Sequence, residues 1–153
     1  MNQTASFLAA LARHREAFNT VEQYAEQAQT LLAAVVTCLR AGGKVVWMGN
    51  GGSAADSQHL AAEFMVRYKA ERGPLASIAL TTDTSILTAH ANDYHFETVF
   101  ERQVRGLVRP GDVVIGLTTS GKSPNINLAL AAANELGAVT VAFTGRDGGL
   151  VKD

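Results

Sequence analysis

The chain has 153 residues, enough for one domain with a buried core. Its 13 basic and 14 acidic residues leave a net charge of −1, so neither a nucleic-acid footprint nor a membrane-surface patch is expected. The longest apolar run, residues 31–39, is too short to span a bilayer and the N-terminus has no signal-peptide organisation, so a cytoplasmic protein is expected.

Residues 1–41 read as helix. Phe18, Val21, Ala25, Ala28, Leu31, Leu32, Val35, Cys38 and Leu39 recur at spacings of three and four, and the pattern stops at Gly42 and Gly43. The lone cysteine, Cys38, falls in this pattern and reads as a packed apolar residue. So long a helix ahead of the first strand has more apolar face than one small sheet needs. Residues 1–41 are therefore assigned as a helical oligomerisation segment and residues 42–153 as the core of a single domain.

From Lys44 the rhythm changes. "KVVWM" is a short continuous apolar run ended by Gly49, as expected of a buried parallel strand. Residues 76–81, 112–118 and 138–144 repeat that signature, with helical patterns over residues 54–69, 84–91, 95–108 and 123–136. Strand alternating with helix predicts an α/β fold, a three-layer doubly wound parallel sheet. After the fourth strand the chain runs out in "TGRDGGLVKD", where a further helix and strand are expected to begin, and a C-terminally truncated domain is expected.

Two glycine-rich turns carry the chemistry. Gly116-x-x-x-x-Gly121-Lys122-Ser123 satisfies the Walker A rule. A nucleotide site also needs a second strand ending in an aspartate for magnesium. Downstream of Lys122 the only strand ends Val141-Ala142-Phe143-Thr144, and nothing marks Asp83 as the partner. The match reads as accidental. The stretch nevertheless suits a phosphate: a strand runs into Thr118, Thr119, Ser120 and Gly121, then Ser123 stands at the cap position with Pro124 opening a helix. Free backbone N–H groups, a helix dipole and four hydroxyls can wrap a phosphate monoester. The other reading, a helix whose serines satisfy only its own first turn, stands equally at this point.

The earlier turn, "GNGGS" over residues 49–53, follows the first strand directly, and its glycines permit close approach to a ligand. Open α/β sheets bind ligands at the carboxyl ends of their strands, so both turns belong to one edge. On the helix that follows, His59 and Glu63 are four apart and share a face. That spacing can present an imidazole and a carboxylate to one metal ion, or a base to a substrate. Glu63 and Arg67 equally make a favourable ion-pair spacing, with His59 a plain surface residue.

Together, "GNGGSAADSQHLAAEF", "LTTDTSILTAHANDY", "GDVVIGLTTSGKSPNI" and "TVAFTGRDGG" resemble the phosphoheptose isomerases, a branch of the sugar isomerase (SIS) domain family. The resemblance implies a homotetramer that interconverts sedoheptulose 7-phosphate and D-glycero-D-manno-heptose 7-phosphate, feeding the heptose of the lipopolysaccharide core. It assigns Asn50, Gly51, Gly52 and Ser53 to substrate contact, and Asn92 and Asp93 to the sugar, although those two alone read as a turn and helix cap. It assigns Thr118, Thr119, Ser120 and Ser123 to the phosphate. His59 and Glu63 would ligate one zinc per subunit, with Glu63 also shuttling the proton. The family continues into a final strand and a helix, whose glutamine and histidine complete the zinc set; neither is present in this sequence. His14, His90 and His95 match no ligand position and read as surface or packing residues. The alternative the family offers is a non-catalytic SIS-domain protein that binds a sugar phosphate or a replication initiator. In the initiator-binding relative the position of Glu63 lacks a carboxylate, so Glu63 favours the enzyme.

Overall fold

The computed structural model describes residues 3–152. The chain divides into two units, one up to Ala33 and one from Ala34 onward. The first unit holds α1 (Gln3–Asn19), a 3-10 turn at Val21–Tyr24 and the opening turns of α2 (Ala25–Arg40). The expected continuous helix is therefore broken. The Thr20 hydroxyl donates to the Ala17 carbonyl at 2.7 Å, offering the backbone an alternative to the next helical turn. No described residue of α1 is buried, and Phe7, Leu8 and Phe18 are exposed.

The second unit is built on a four-stranded parallel sheet: β1 (Val45–Gly49), β2 (Ser77–Ala79), β3 (Val113–Thr118) and β4 (Val139–Thr144), in the spatial order β2-β1-β3-β4. All five residues of β1 are buried, which explains why its sequence is apolar throughout rather than alternating. Alternate residues face opposite sides. Val46, Met48 and Val114 join the core formed with Val99, Phe100 and Val104 of α5 (Val99–Leu107) and Ile126, Ala129, Leu130 and Ala133 of α6 (Pro124–Glu135). On the other side Trp47 meets Phe64 of α3 (Gly52–Met65), ring centroids 5.8 Å apart, and donates its indole N–H to Ser77 Oγ at 2.9 Å. Helices thus cover both faces, as the alternation implied.

Two element boundaries differ from the sequence pattern. β2 keeps only three residues, because the chain turns away at Leu80–Thr82 with the Thr81 hydroxyl donating to Ala54 O at 3.3 Å. α3 stops at Met65 rather than at residue 69. The guanidinium of Arg72 folds back onto its end, donating to Glu63 O at 2.6 Å and Phe64 O at 2.8 Å, so the last carbonyls are satisfied without another turn.

The order of winding sets the location of a ligand site. From β1 the chain crosses to β2 on one side and then to β3 on the other. The direction reverses between β1 and β3, and such a switch point leaves a crevice at the carboxyl ends of the two strands.

Candidate active site

Both glycine-rich turns open at that switch point, since Gly49 at the end of β1 is paired with Leu117 near the end of β3. Glycine is required at 49, where a Cβ would come within 2.6 Å of the Ser53 carbonyl oxygen. Gly51 adopts φ +57, in the left-handed region that favours glycine. The turn then enters α3 with no side chain capping its first N–H groups. α6 starts in the same way: Ser123 occupies the cap position and Pro124 the first helical position, but the Ser123 hydroxyl makes no capping bond. By contrast Asp83, at the start of α4 (Thr84–Asp93), accepts from Ile86 N at 2.9 Å. The two helix starts at the switch point are left uncapped, and they present N–H groups and positive dipole ends to one place.

Around the second turn the hydroxyls gather. Thr118 Oγ1 and Ser123 Oγ lie 3.2 Å apart, and Ser120 Oγ accepts from Lys122 N at 3.2 Å. Thr118 is buried and Thr119 exposed. Gly121, at φ +63, closes the turn by donating to Thr118 O at 3.2 Å, while its own carbonyl accepts from Leu150 N and Val151 N. Gly145 N donates to Thr119 O, so the segment after β4 braces the cradle from behind.

The Walker A reading fails on this geometry. Gly116 lies inside β3 rather than at its end, leaving only residues 119–123 as the turn. The candidate magnesium aspartate, Asp83, is engaged as a helix cap.

On α3, His59 Nε2 and Glu63 Oε1 are 3.5 Å apart, with side-chain exposures of 73% and 27%. The pair borders an open cleft of about 450 Å³ with Leu60, Phe64, Tyr68, Arg72 and Leu75. The Glu63–Arg67 ion pair does not form: α3 ends before Arg67, which pairs with Glu71 at 3.7 Å. A zinc ion holding nitrogen and oxygen at about 2.1 Å in a tetrahedral arrangement places them about 3.4 Å apart, so the observed separation fits a shared metal. The pair supplies two donors, and no third His, Cys, Asp or Glu joins them among the described residues. His59 and Glu63 lie seven and eleven residues beyond Gly52, or about 10 and 16 Å along the helix axis. No hydrogen bond among the described residues joins them to the cradle.

Asn92 and Asp93 occupy the last turn of α4, correcting their reading as a turn and cap beyond it. Tyr94 N reaches back to His90 O at 2.9 Å and carries the helix two residues further than its apolar pattern. Asn92 Nδ2 donates to Asp93 Oδ1 at 2.8 Å, and both are exposed. His90 is a packing residue, bonded to Thr98 Oγ1 at 2.8 Å and stacked on Tyr94. His14 and His95 are exposed.

One site residue escaped the sequence pattern. Asn125, buried in the first turn of α6, exchanges two hydrogen bonds with Asn50. Its only signal was an amide at a helical position where asparagine has poor propensity.

Comparison with known proteins places these features in context. The SIS domain family matches residues 7–145. A phosphoheptose isomerase of Aquifex aeolicus is 60% identical over 131 residues, covering 86% of this chain and 69% of that protein. The structure of a phosphoheptose isomerase from Neisseria gonorrhoeae superposes with a TM-score of 0.92 at 43% identity, covering 99% of this chain and 79% of the other. One from Francisella tularensis gives 0.94 at 33% identity, covering 99% and 80%. The chain spans between 61% and 76% of the length of eight curated relatives that it matches, all phosphoheptose isomerases.

Proposed function

Because the chain belongs to the SIS domain family, we propose that it is an aldose–ketose isomerase interconverting sedoheptulose 7-phosphate and D-glycero-D-manno-heptose 7-phosphate. The observation that carries this reading is the pair of uncapped helix starts meeting at one switch point, one of them ringed by Thr118, Thr119, Ser120 and Ser123. That arrangement binds a dianionic phosphate without a metal and without the Walker lysine. The relatives at 60% and 59% identity, both phosphoheptose isomerases, supply the sugar class.

The reaction moves a carbonyl between C2 and C1. The Glu63 carboxylate removes a proton from C1 of the ketose, and the released electron pair forms the C1–C2 double bond of an enediol as the C2 oxygen gains a proton. The same carboxyl returns its proton to C2 while the C1 hydroxyl loses one and becomes the aldehyde. The residues 50–53 and the Asn92–Asp93 pair orient the sugar, and the cradle fixes the phosphate end. His59 and Glu63 would hold one zinc ion, which when bound stabilises negative charge on the two reacting oxygens. The exposed Phe7, Leu8 and Phe18 of α1 support a homotetramer assembled through the N-terminal segment. The balanced charge, and the lack of any described helix long and apolar enough to cross a membrane, support a cytoplasmic enzyme of heptose biosynthesis for lipopolysaccharide.

The test is conversion of sedoheptulose 7-phosphate in deuterated water. The product should gain solvent deuterium at C2 to the extent that the protonated Glu63 exchanges with solvent before it returns its proton, and retain the C1 hydrogen otherwise. Glu63→Gln should still bind substrate but lose at least about a hundredfold in kcat. Turnover by Glu63→Gln at the wild-type rate would remove Glu63 from the base role, and no conversion by wild type supplied with zinc would remove the isomerase.

A further inference from the structure

The two turns are tied together by a pair of carboxamides. Asn50 Nδ2 donates to Asn125 Oδ1 at 2.9 Å, and Asn125 Nδ2 donates to Asn50 Oδ1 at 2.8 Å, joining residues 75 apart in sequence. Asn125 is 3% exposed, while Asn50 is at the surface. We propose that Asn125 is a positioning residue for substrate binding: through Asn50 it holds the turn after β1 at a fixed distance from the phosphate cradle, so that both turns converge on one ligand. This inference rests on the sugar-phosphate reading of the two turns.

The reason for such a latch lies in the turn it holds. Residues 49–52 contain three glycines, which lose more conformational freedom on ordering than any other residue type. No side chain caps α3 to stiffen the entry from within. Asn125, by contrast, stands on the first turn of a helix whose next residue, Ile126, is in the core. The glycine-rich turn thus borrows rigidity from the one anchored in the core. Ordering completed before binding is ordering that the ligand does not have to supply, which raises affinity rather than the rate of the chemical step.

The residue type follows from the geometry. Each carboxamide offers an N–H and a carbonyl side by side, so two of them close a ring in which both donate and both accept. Each NH₂ carries a second hydrogen, and the one on exposed Asn50 has no hydrogen-bond partner among the described residues, which leaves it for a ligand. Asn50 can therefore serve the latch and the substrate together. Leucine has the same size at 125 but breaks both bonds; serine is smaller, compatible with a helix start, and cannot reach across.

Asn125→Leu and Asn125→Ser are compared with wild type by amide hydrogen exchange without ligand and by steady-state kinetics with sedoheptulose 7-phosphate. In both variants exchange over residues 50–54 should quicken by about tenfold while the interior of β1 stays protected, and KM should rise by about tenfold with kcat changed less than threefold. A structural role alone would lower the melting temperature without this split. Unaltered exchange at residues 50–54, or an unaltered KM, in the variant that folds would overturn the proposal. A wild-type protein that neither binds nor converts the heptulose phosphate would contradict the proposed function, and the ligand-free exchange would then decide the latch by itself.

Discussion

Gly116, within β3, lies directly against Ile126 of α6: a Cβ at position 116 would meet Ile126 Cγ2 at 2.7 Å and Leu130 Cδ1 at 3.2 Å. The glycine that completes the apparent Walker A signature is therefore there to let a helix approach the sheet. Ile126 is fully buried and β-branched, so it has little room to rotate away. Gly116→Ala should cost roughly 1–3 kcal/mol by overpacking, lowering the melting temperature by several degrees. An unchanged melt would show that α6 shifts outward freely.

Thr118 and Ser123, whose hydroxyls lie 3.2 Å apart, give the cradle its most direct test. Thr118→Val keeps the shape and removes a hydroxyl; Ser123→Ala removes the other without disturbing the Pro124 helix start. If both bind phosphate, each variant should weaken sedoheptulose 7-phosphate binding by roughly 10- to 100-fold, the worth of a hydrogen bond to a charged group. Calorimetric titration checks this, and unchanged affinity in both would mean that the hydroxyls serve only the protein.

At the opposite end of the sheet, Asp112 joins the starts of β1 and β3. It accepts from Lys44 N at 2.9 Å, Lys44 Nζ at 2.5 Å and Arg109 N at 2.8 Å. Burial, the largest influence, pushes its carboxyl up, but these hydrogen bonds and the Lys44 charge together hold it below the ordinary carboxylate value. The unfolded chain consequently takes up this proton more readily than the folded one. The stabilisation is complete above the ordinary value and is lost as pH falls through the lower, folded one. Asp112→Asn should cost roughly 2–3 kcal/mol at neutral pH, and its deficit relative to wild type should shrink below about pH 4. A deficit constant from pH 7 to pH 2 would show that ionisation of Asp112 contributes nothing.

Cys38 is buried, and its thiol donates to Lys44 O at 3.4 Å. Burial chiefly, with the nearby Asp112 charge, pushes the thiol pKa up and suppresses the reactive thiolate. Alkylation by iodoacetamide at neutral pH should therefore be slow in the folded protein and rapid in denaturant. Fast modification of native protein would contradict the packing role.

Much of this architecture was legible because its causes are local. Continuous apolar runs marked the two central strands, β1 and β3, which are buried almost throughout, whereas the edge strands β2 and β4 carry Ser and Thr and are only partly covered. The two turns were legible from their glycines and hydroxyls, and the His59–Glu63 face from a spacing of four. What escaped depends on partners distant in sequence. Residues 66–69 kept a helical composition, yet Arg72 satisfies the end of α3 at Glu63 and Phe64. At the break, the Thr20 hydroxyl and backbone N–H both turn back to Ala17 O, and the amide pair joins positions 50 and 125, which no periodicity links.

The most direct test of a sugar-phosphate site at the switch point is a thermal melt with sedoheptulose 7-phosphate, fructose 6-phosphate, or ATP with magnesium. A ligand at a hundred times its dissociation constant stabilises by roughly 2.7 kcal/mol, a rise of roughly 5–10 °C for a domain of this size. The account predicts that rise with the heptulose phosphate and none with magnesium ATP. A rise with magnesium ATP alone would restore the nucleotide reading of Gly116–Ser123 and contradict the cradle.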